Sequence, residues 1–158
     1  MMPLFKQDAD PDVDELERMA EQRCMKENFE FTSLRRRVFR EIALRGGAIG
    51  AYDIASYIST EGRRVNAASV YRALDFLVES GLVRRIKSSR AFALADLTAQ
   101  PKRDETSISF VCRKSGTVRE IQSPLVAMIL QEAGKSVGFK DLSTLIEVEG
   151  VFAPAELG

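Results

Sequence analysis

Hydrophobic positions along this chain change period more than once, and each change marks an element. In "DVDELERMAEQRCMKEN" (12–28), Val13, Leu16, Met19, Ala20 and Cys24 recur at helical spacing on a polar background. Asp12 is a candidate cap, with Glu15 as its capping-box partner. In "FTSLRRRVFREIALRGG", Leu34, Val38 and Ile42 fall at i, i+4 and i+8 beside Phe39, while Arg35, Arg36, Arg37 and Arg40 lie off that stripe. Thr32 or Ser33 can cap this helix, and Gly46 and Gly47 stop it. "GAYDIASYISTEG" predicts a short helix over about 51–60, with Ile54, Tyr57 and Ile58 inward and Gly62 at its end. "NAASVYRALDFLVESG" predicts a helix from Asn66 or Ala67 to Gly81. Its Val70, Ala73, Leu74, Leu77 and Val78 share one face, and Ala68, Arg72, Asp75 and Phe76 point the other way.

The period then falls to two. "LVRRIK" and "AFALA" read as strands joined through "SSR". Residues 97–105, "LTAQPKRDE", carry no apolar anchor beyond Leu97 and read as a linker. A second unit follows: strand 107–113, turn 114–116, strand 117–121, a helix over about 123–134 broken by Gly134 and Gly138, and strand 142–149. "RGGAIG" (45–50) fits neither phosphate-loop pattern and reads as a helix stop and a turn. The expected fold class is α+β. An N-terminal winged helix-turn-helix domain spans 1–96, and a small C-terminal α/β domain spans 106–158.

Composition narrows the class. With 45% hydrophobic residues in 158, a packed core is expected. The longest apolar run, "PLVAMIL" at 124–130, is far below the roughly 18–20 residues that span a bilayer. "MMPLFKQDADPDVDE" turns acidic at once and lacks a signal peptide's apolar centre. A soluble, cytoplasmic protein with no membrane partner is therefore expected. Cys24 and Cys112 give no disulfide framework and are expected to be reduced, each on an apolar face. Without histidine, and without a paired nucleophile and base, no reaction centre is visible and an enzyme is not expected.

Net charge is zero but unevenly spread. Residues 1–30 carry 4 Lys/Arg against 9 Asp/Glu, residues 31–90 carry 12 against 5, and residues 91–158 carry 7 against 9. The middle segment, at +7, suggests a local polyanion-binding surface. On the third helix of the winged unit, Ala67, Ala68 and Ser69 permit close approach to a groove, and Tyr71 and Arg72 are placed to reach base edges or phosphates. The candidate DNA-binding set is Arg36, Arg63, Arg64, Asn66, Ser69, Tyr71, Arg72, Arg85, Lys87 and Arg90, with double-stranded DNA as partner. Arg84 lies in the same wing. Winged helices also dock proteins, so an interaction module remains the alternative class.

The stretch 49–96, with its "VYRALDFL", "ESGLV" and wing "AF", resembles the DNA-binding domain of the ferric uptake regulator family, and its zinc-uptake branch most. The likeness runs from about 13 to 152, more weakly through "ISFVCRKSGTVREI" and "IEVEGVF". It implies a homodimer built on the C-terminal domain, repression or activation of promoters, with a repressor the expected sign, and DNA contacts by Tyr71 and Arg72.

The resemblance also implies metal sites whose ligands are missing here. The family's two CxxC pairs fall on Cys112 and Ser115 and on Phe152 and Ala155. One thiolate cannot supply zinc's tetrahedral set. The family's regulatory site draws on histidines near the linker, where this chain has "LTAQPKRDETS", and the cysteine expected after the wing falls at Ala95. The expectation is a regulator with no metal site and no cofactor, its second domain held by apolar packing that includes Phe152. The alternatives are a non-DNA-binding protein that dimerises with or modulates a metal-sensing relative, and a regulator answering to a small molecule.

Overall fold

The computed structural model describes residues 12–60, 63–98, 106–140, 142 and 145–153. The first unit is built from α1 (Val13–Lys26), α2 (Ser33–Arg45), β1 (Ile49–Gly50), α3 (Ala51–Ile58), α4 (Ala67–Glu79), β2 (Val83–Ile86) and β3 (Ala91–Leu94). The second holds β4 (Thr106–Cys112), β5 (Val118–Ser123), α5 (Pro124–Ser136) and β6 (Leu145–Gly150). This is the expected α+β arrangement of a winged helix followed by a small α/β unit.

Side-chain oxygens start every described helix but α3, which begins at Gly50. Asp12, Thr32, Asn66 and Ser123 each accept an amide of the first turn of α1, α2, α4 and α5. Gly46, at φ 63°, closes α2 in the left-handed region that a side chain resists. Leu16, Ala20 and Cys24 of α1 pack with Val38, Phe39 and Ile42 of α2, with Ile54 and Ile58 of α3, and with Val70, Leu74 and Leu77 of α4. Val83 and Phe92 close this core from the wing, and Leu97 belongs to it, so the first unit's packing reaches one residue into the expected linker. Residues 99–105 and Gly62 lie outside the described residues.

Four sequence expectations are corrected. The segment read as a plain turn contains β1, whose Ile49 and Gly50 pair with Phe92 and Ala91, so the wing sheet has three strands in the order β1-β3-β2. A two-residue strand is too short to show alternation. Tyr57, expected inside, is 54% exposed, and Arg45 lies over its ring at 3.8 Å. Phe76, expected on the free face of α4, packs edge-on to Phe29 at 5.8 Å with Arg35 over its ring at 3.5 Å. The chain before α2 returns to cover it. Finally, α5 runs through Gly134 to Ser136, and the turn comes at Gly138, φ 90°.

The second sheet has the order β5-β4-β6, β4 antiparallel to β5 and parallel to β6. Period-two alternation gives it two faces. Ala127 of α5 is buried. A second small core joins the two units: Ile86 and Ala93 of the wing meet Val111, with Ala48 and Val118 packed around them.

Candidate nucleic-acid interface

The α4 helix presents the site because its burial is one-sided. Val70, Ala73, Leu74 and Leu77 are buried, whereas Ala68, Tyr71, Arg72 and Asp75 are exposed and Ser69 is half-buried. Asn66 stands at the start as a cap: its Oδ1 accepts the Ala68 amide at 2.8 Å. Its local role is thus to set the entry of the helix. Arg63 and Arg64 are exposed just before it, and Arg63 forms an isolated backbone bridge with Thr60.

Tyr71 has a neighbour outside the candidate set. Tyr52, in the first turn of α3 and 74% exposed, stands edge-on to the Tyr71 ring at 6.3 Å. The signal available was "GAYD", a large aromatic at the outward first turn of the helix before α4. Two exposed aromatic rings beside Arg72 make a surface able to contact thymine methyls and stacked base edges as well as phosphates.

The arginines divide into paired and unpaired groups. Arg36 donates to Glu17 at 2.8 Å and to Glu21 at 2.6 Å, and Arg40 reaches Asp14 and Glu17 at 2.6 and 2.8 Å. These bonds hold the Arg36 guanidinium more firmly protonated and push Glu17 below the usual carboxylate range. Arg36 therefore ties α2 to α1, and the structure does not bring it into the α4 surface. Part of the charge contrast between the first thirty residues and the next sixty is this helix pairing. Arg85 pairs with Asp75 at 2.8 Å and sits over Phe92 at 5.1 Å. Among the described residues, Arg63, Arg64, Arg72 and Arg90 form no ion pair with a carboxylate. Lys87 and Arg90 lie in the exposed wing turn, Arg90 at φ 52°. What remains after pairing is a smaller cationic surface, centred on α4 and the wing tip.

The second unit carries the turn expected to retain one thiol. Cys112 is buried, as expected. Its Sγ accepts the Ser115 amide at 3.4 Å and the Phe152 amide at 3.3 Å. The Ser115 hydroxyl, then the Phe152, Ser115 and Lys114 amides, pull this thiol down to about 6. Phe152 is 46% exposed, with Arg119 5.4 Å from its ring, so it joins this turn by its backbone and a cation contact, not by the apolar burial expected of it. Ala155 lies outside the described residues. Cys24 lies in the first core, where burial pushes its thiol up.

The donor set can be compared with what a transition metal needs. The chain holds no histidine, and among the described residues no group of three or more His, Cys, Asp or Glu side chains could hold a metal ion. Ala95, at the position where a cysteine was expected, is buried beside Asp96. Glu120, which accepts the Asp96 amide at 3.3 Å, already pairs with the Arg84 guanidinium at 2.9 Å. These residues do not fit a site for a transition metal. Among the described residues no helix is long and apolar enough to cross a membrane.

Comparisons with known proteins bear on the same surfaces. The ferric uptake regulator family model matches residues 26–149. The zinc uptake regulation protein of Escherichia coli (strain K12) is 34% identical over 139 residues, covering 88% of this chain and 80% of that protein. A solved zinc uptake regulator complexed with zinc and DNA overlays with a TM-score of 0.80 at 34% identity, over 89% of this chain and 93% of that one. The holo form of XcZur overlays at 0.75 with 26% identity, and its apo form at 0.52 with 28% identity; each alignment covers 90% of this chain and 96% of the other.

Proposed function

The chain belongs to the ferric uptake regulator family, and from that premise we propose that it is a sequence-specific, homodimeric DNA-binding transcription regulator, acting as a repressor, whose DNA-binding form does not depend on a transition metal. It is a regulator and not an enzyme. The observation that carries the reading is the free face of α4. Tyr71 and Arg72 are exposed there beside Tyr52, Arg63 and Arg64, on a helix whose other face is fully committed to the core. Exposed arginines supply counterion release and affinity, and the aromatic and guanidinium groups of α4 supply base reading. A solved relative that is complexed with DNA shares this fold closely, which supports the same use of α4 here.

That relative is also complexed with zinc, and this chain departs from it in chemistry. Lacking histidine, with Cys24 inside the first core and Cys112 buried apart from it in the second unit, it offers neither the nitrogen nor the paired soft sulfur ligands that hold zinc. Metal content of the purified chain, and retardation of duplexes selected from a random library by the wild-type chain, are to be measured with and without chelator. The expected result is no stoichiometric zinc and unchanged affinity. Tight stoichiometric zinc, or affinity abolished by chelator, overturns the metal-free part of the proposal. Failure to select any duplex at low salt overturns the DNA-binding part and points to an interaction module.

A further inference from the structure

We infer that Glu120 and Glu147, two acidic side chains in one cross-strand row of the second sheet, are the clamp that fixes the orientation of the winged unit without a metal ion. The inference rests on the function proposed above and names the group that sets the hinge.

The row is set by register. Ser109 of β4 stands opposite Glu120 of β5 and Glu147 of β6. The three side chains share one face of the sheet, the face that also presents Ser107, Val111 and Val118. Ser109 is 1% exposed and Val111 is buried against Ile86 and Ala93 of the wing. The two carboxylates therefore flank an apolar contact between the units, one on each side.

Each carboxylate takes a different part of the wing. Glu120 holds its base. Its Oε1 accepts from Arg84 Nε at 3.1 Å and Nη2 at 2.9 Å and from the Ser107 hydroxyl, and its Oε2 accepts the Asp96 amide. Glu147 holds the turn: Oε1 accepts the Lys87 amide at 2.6 Å and Oε2 the Ser88 amide at 3.2 Å. A third tie runs between backbones, from the Ala48 amide to the Gly116 carbonyl at 2.9 Å. A Cβ on Gly47 would stand 3.0 Å from that same carbonyl oxygen, so glycine is what allows the approach.

The physics favours orientation over bulk stability. The apolar contact is small and non-directional, so alone it would tolerate sliding. A withdrawn carboxylate tolerates little. The Glu120 side chain is 8% exposed, and a charge removed from water to that degree requires a partner in good geometry. Its own sheet offers it the Ser107 hydroxyl; the cation and the second donor, Arg84 and the Asp96 amide, come from the wing side. Arginine stays protonated at every accessible pH, so the cation at this carboxylate is supplied permanently by the chain. The better overlay on the holo than on the apo form of one relative agrees with a winged unit already placed as in a loaded regulator.

Charge exchange tests this. Arg84→Glu, Glu120→Arg and the double exchange are compared with wild type in chelator. The readouts are the radius of gyration by small-angle scattering and retardation of a duplex selected by the wild-type chain. Each single variant is expected to expand and to bind at least tenfold more weakly, while the double exchange recovers most of both. Glu147→Ala, which buries no new charge, is expected to speed amide exchange at Lys87 and Ser88 at least tenfold while circular dichroism stays native, and this keeps the test open should a single variant fail to fold. Singles that keep wild-type dimensions and affinity, an exchange that recovers nothing, or unchanged amide protection at both residues would each overturn the clamp. A wild-type chain that selects no duplex counts against the proposed function, and scattering and amide exchange still decide the clamp.

Discussion

Cys112 shows how much one side chain's behaviour depends on a turn. Alternation along β4 puts its thiol on the face of Phe110, which is 43% exposed, so its burial comes from the turn and from Phe152, not from the strand alone. Its hydrogen bonds were not legible, because the Ser115 and Lys114 amides come from turn geometry and the Phe152 amide arrives from 40 residues away. Those donors favour the thiolate, so the folded value lies at about 6, below the ordinary thiol range near 8.5. The sign follows: the fold gains from these bonds fully above the ordinary thiol range, and the gain disappears as pH falls through about 6. Thiolate absorbance at 240 nm, taken as wild type minus Cys112→Ser, is expected to titrate near pH 6 in the folded protein and near 8.5 in urea. A folded-state midpoint at 8 or above would show that the donors do not act on this sulfur. Asn66 makes the same point about local geometry. Its residue type fits both a cap and a base contact, and the 2.8 Å bond to the Ala68 amide fixes the first role. Asn66→Ala is expected to lower unfolding free energy by about 1 kcal/mol in urea titration; a loss under about 0.3 kcal/mol would mean the cap is idle.

Among the elements, α4 was the most legible and β1 the least. Thirteen residues of 3.6-period pattern fix which side of α4 is buried, and that also fixes the exposed side carrying Tyr71 and Arg72. Two errors at this level have one origin. Phe76 and Tyr57 were assigned by periodicity, which describes a helix in isolation. Phe29 and Arg35 cover the first, whereas the second stays 54% exposed and meets only the Arg45 guanidinium among the ring contacts of the described residues; all three come from other segments. The arginines of α2 were ambiguous for the same reason, since Glu17 and Glu21 on α1 claim Arg36 across the helix pair. A functional contrast follows. Arg72→Ala is expected to leave stability within about 0.5 kcal/mol, to weaken binding to a selected duplex by at least tenfold, and to lower the salt slope by about 1. Arg36→Ala is expected to do the reverse, destabilising the α1–α2 pair while folded protein binds within about threefold of wild type. Equal binding losses for both would return Arg36 to the DNA surface.

Across the whole molecule, the second sheet has two faces with two tasks. One carries the Glu120–Ser109–Glu147 row against the wing. The other carries Phe110 and Val148, paired in register and both exposed, and beyond it α5 leaves Leu125, Met128 and Ile129 more than half exposed. An apolar surface of this kind on a regulator of this family is what a second copy would cover. Two winged heads can then meet two half-sites about one helical turn apart, roughly 34 Å, only if each head is fixed to its own sheet and each sheet to its partner. Clamp and dimer face thus act in series, and loosening either should remove operator recognition before it removes attraction to DNA in general. Ile129→Glu, at an exposed position with no core to disturb, is expected to shift sedimentation equilibrium from dimer toward monomer. Binding to a selected two-half-site duplex should fall at least a hundredfold, while weak, salt-dependent binding to unrelated duplex stays within a few-fold, because the cations of α4 and the wing are untouched. A variant that remains dimeric would place the partner elsewhere on the molecule. One that turns monomeric yet still binds the selected duplex as wild type would show that a single head reads the site alone.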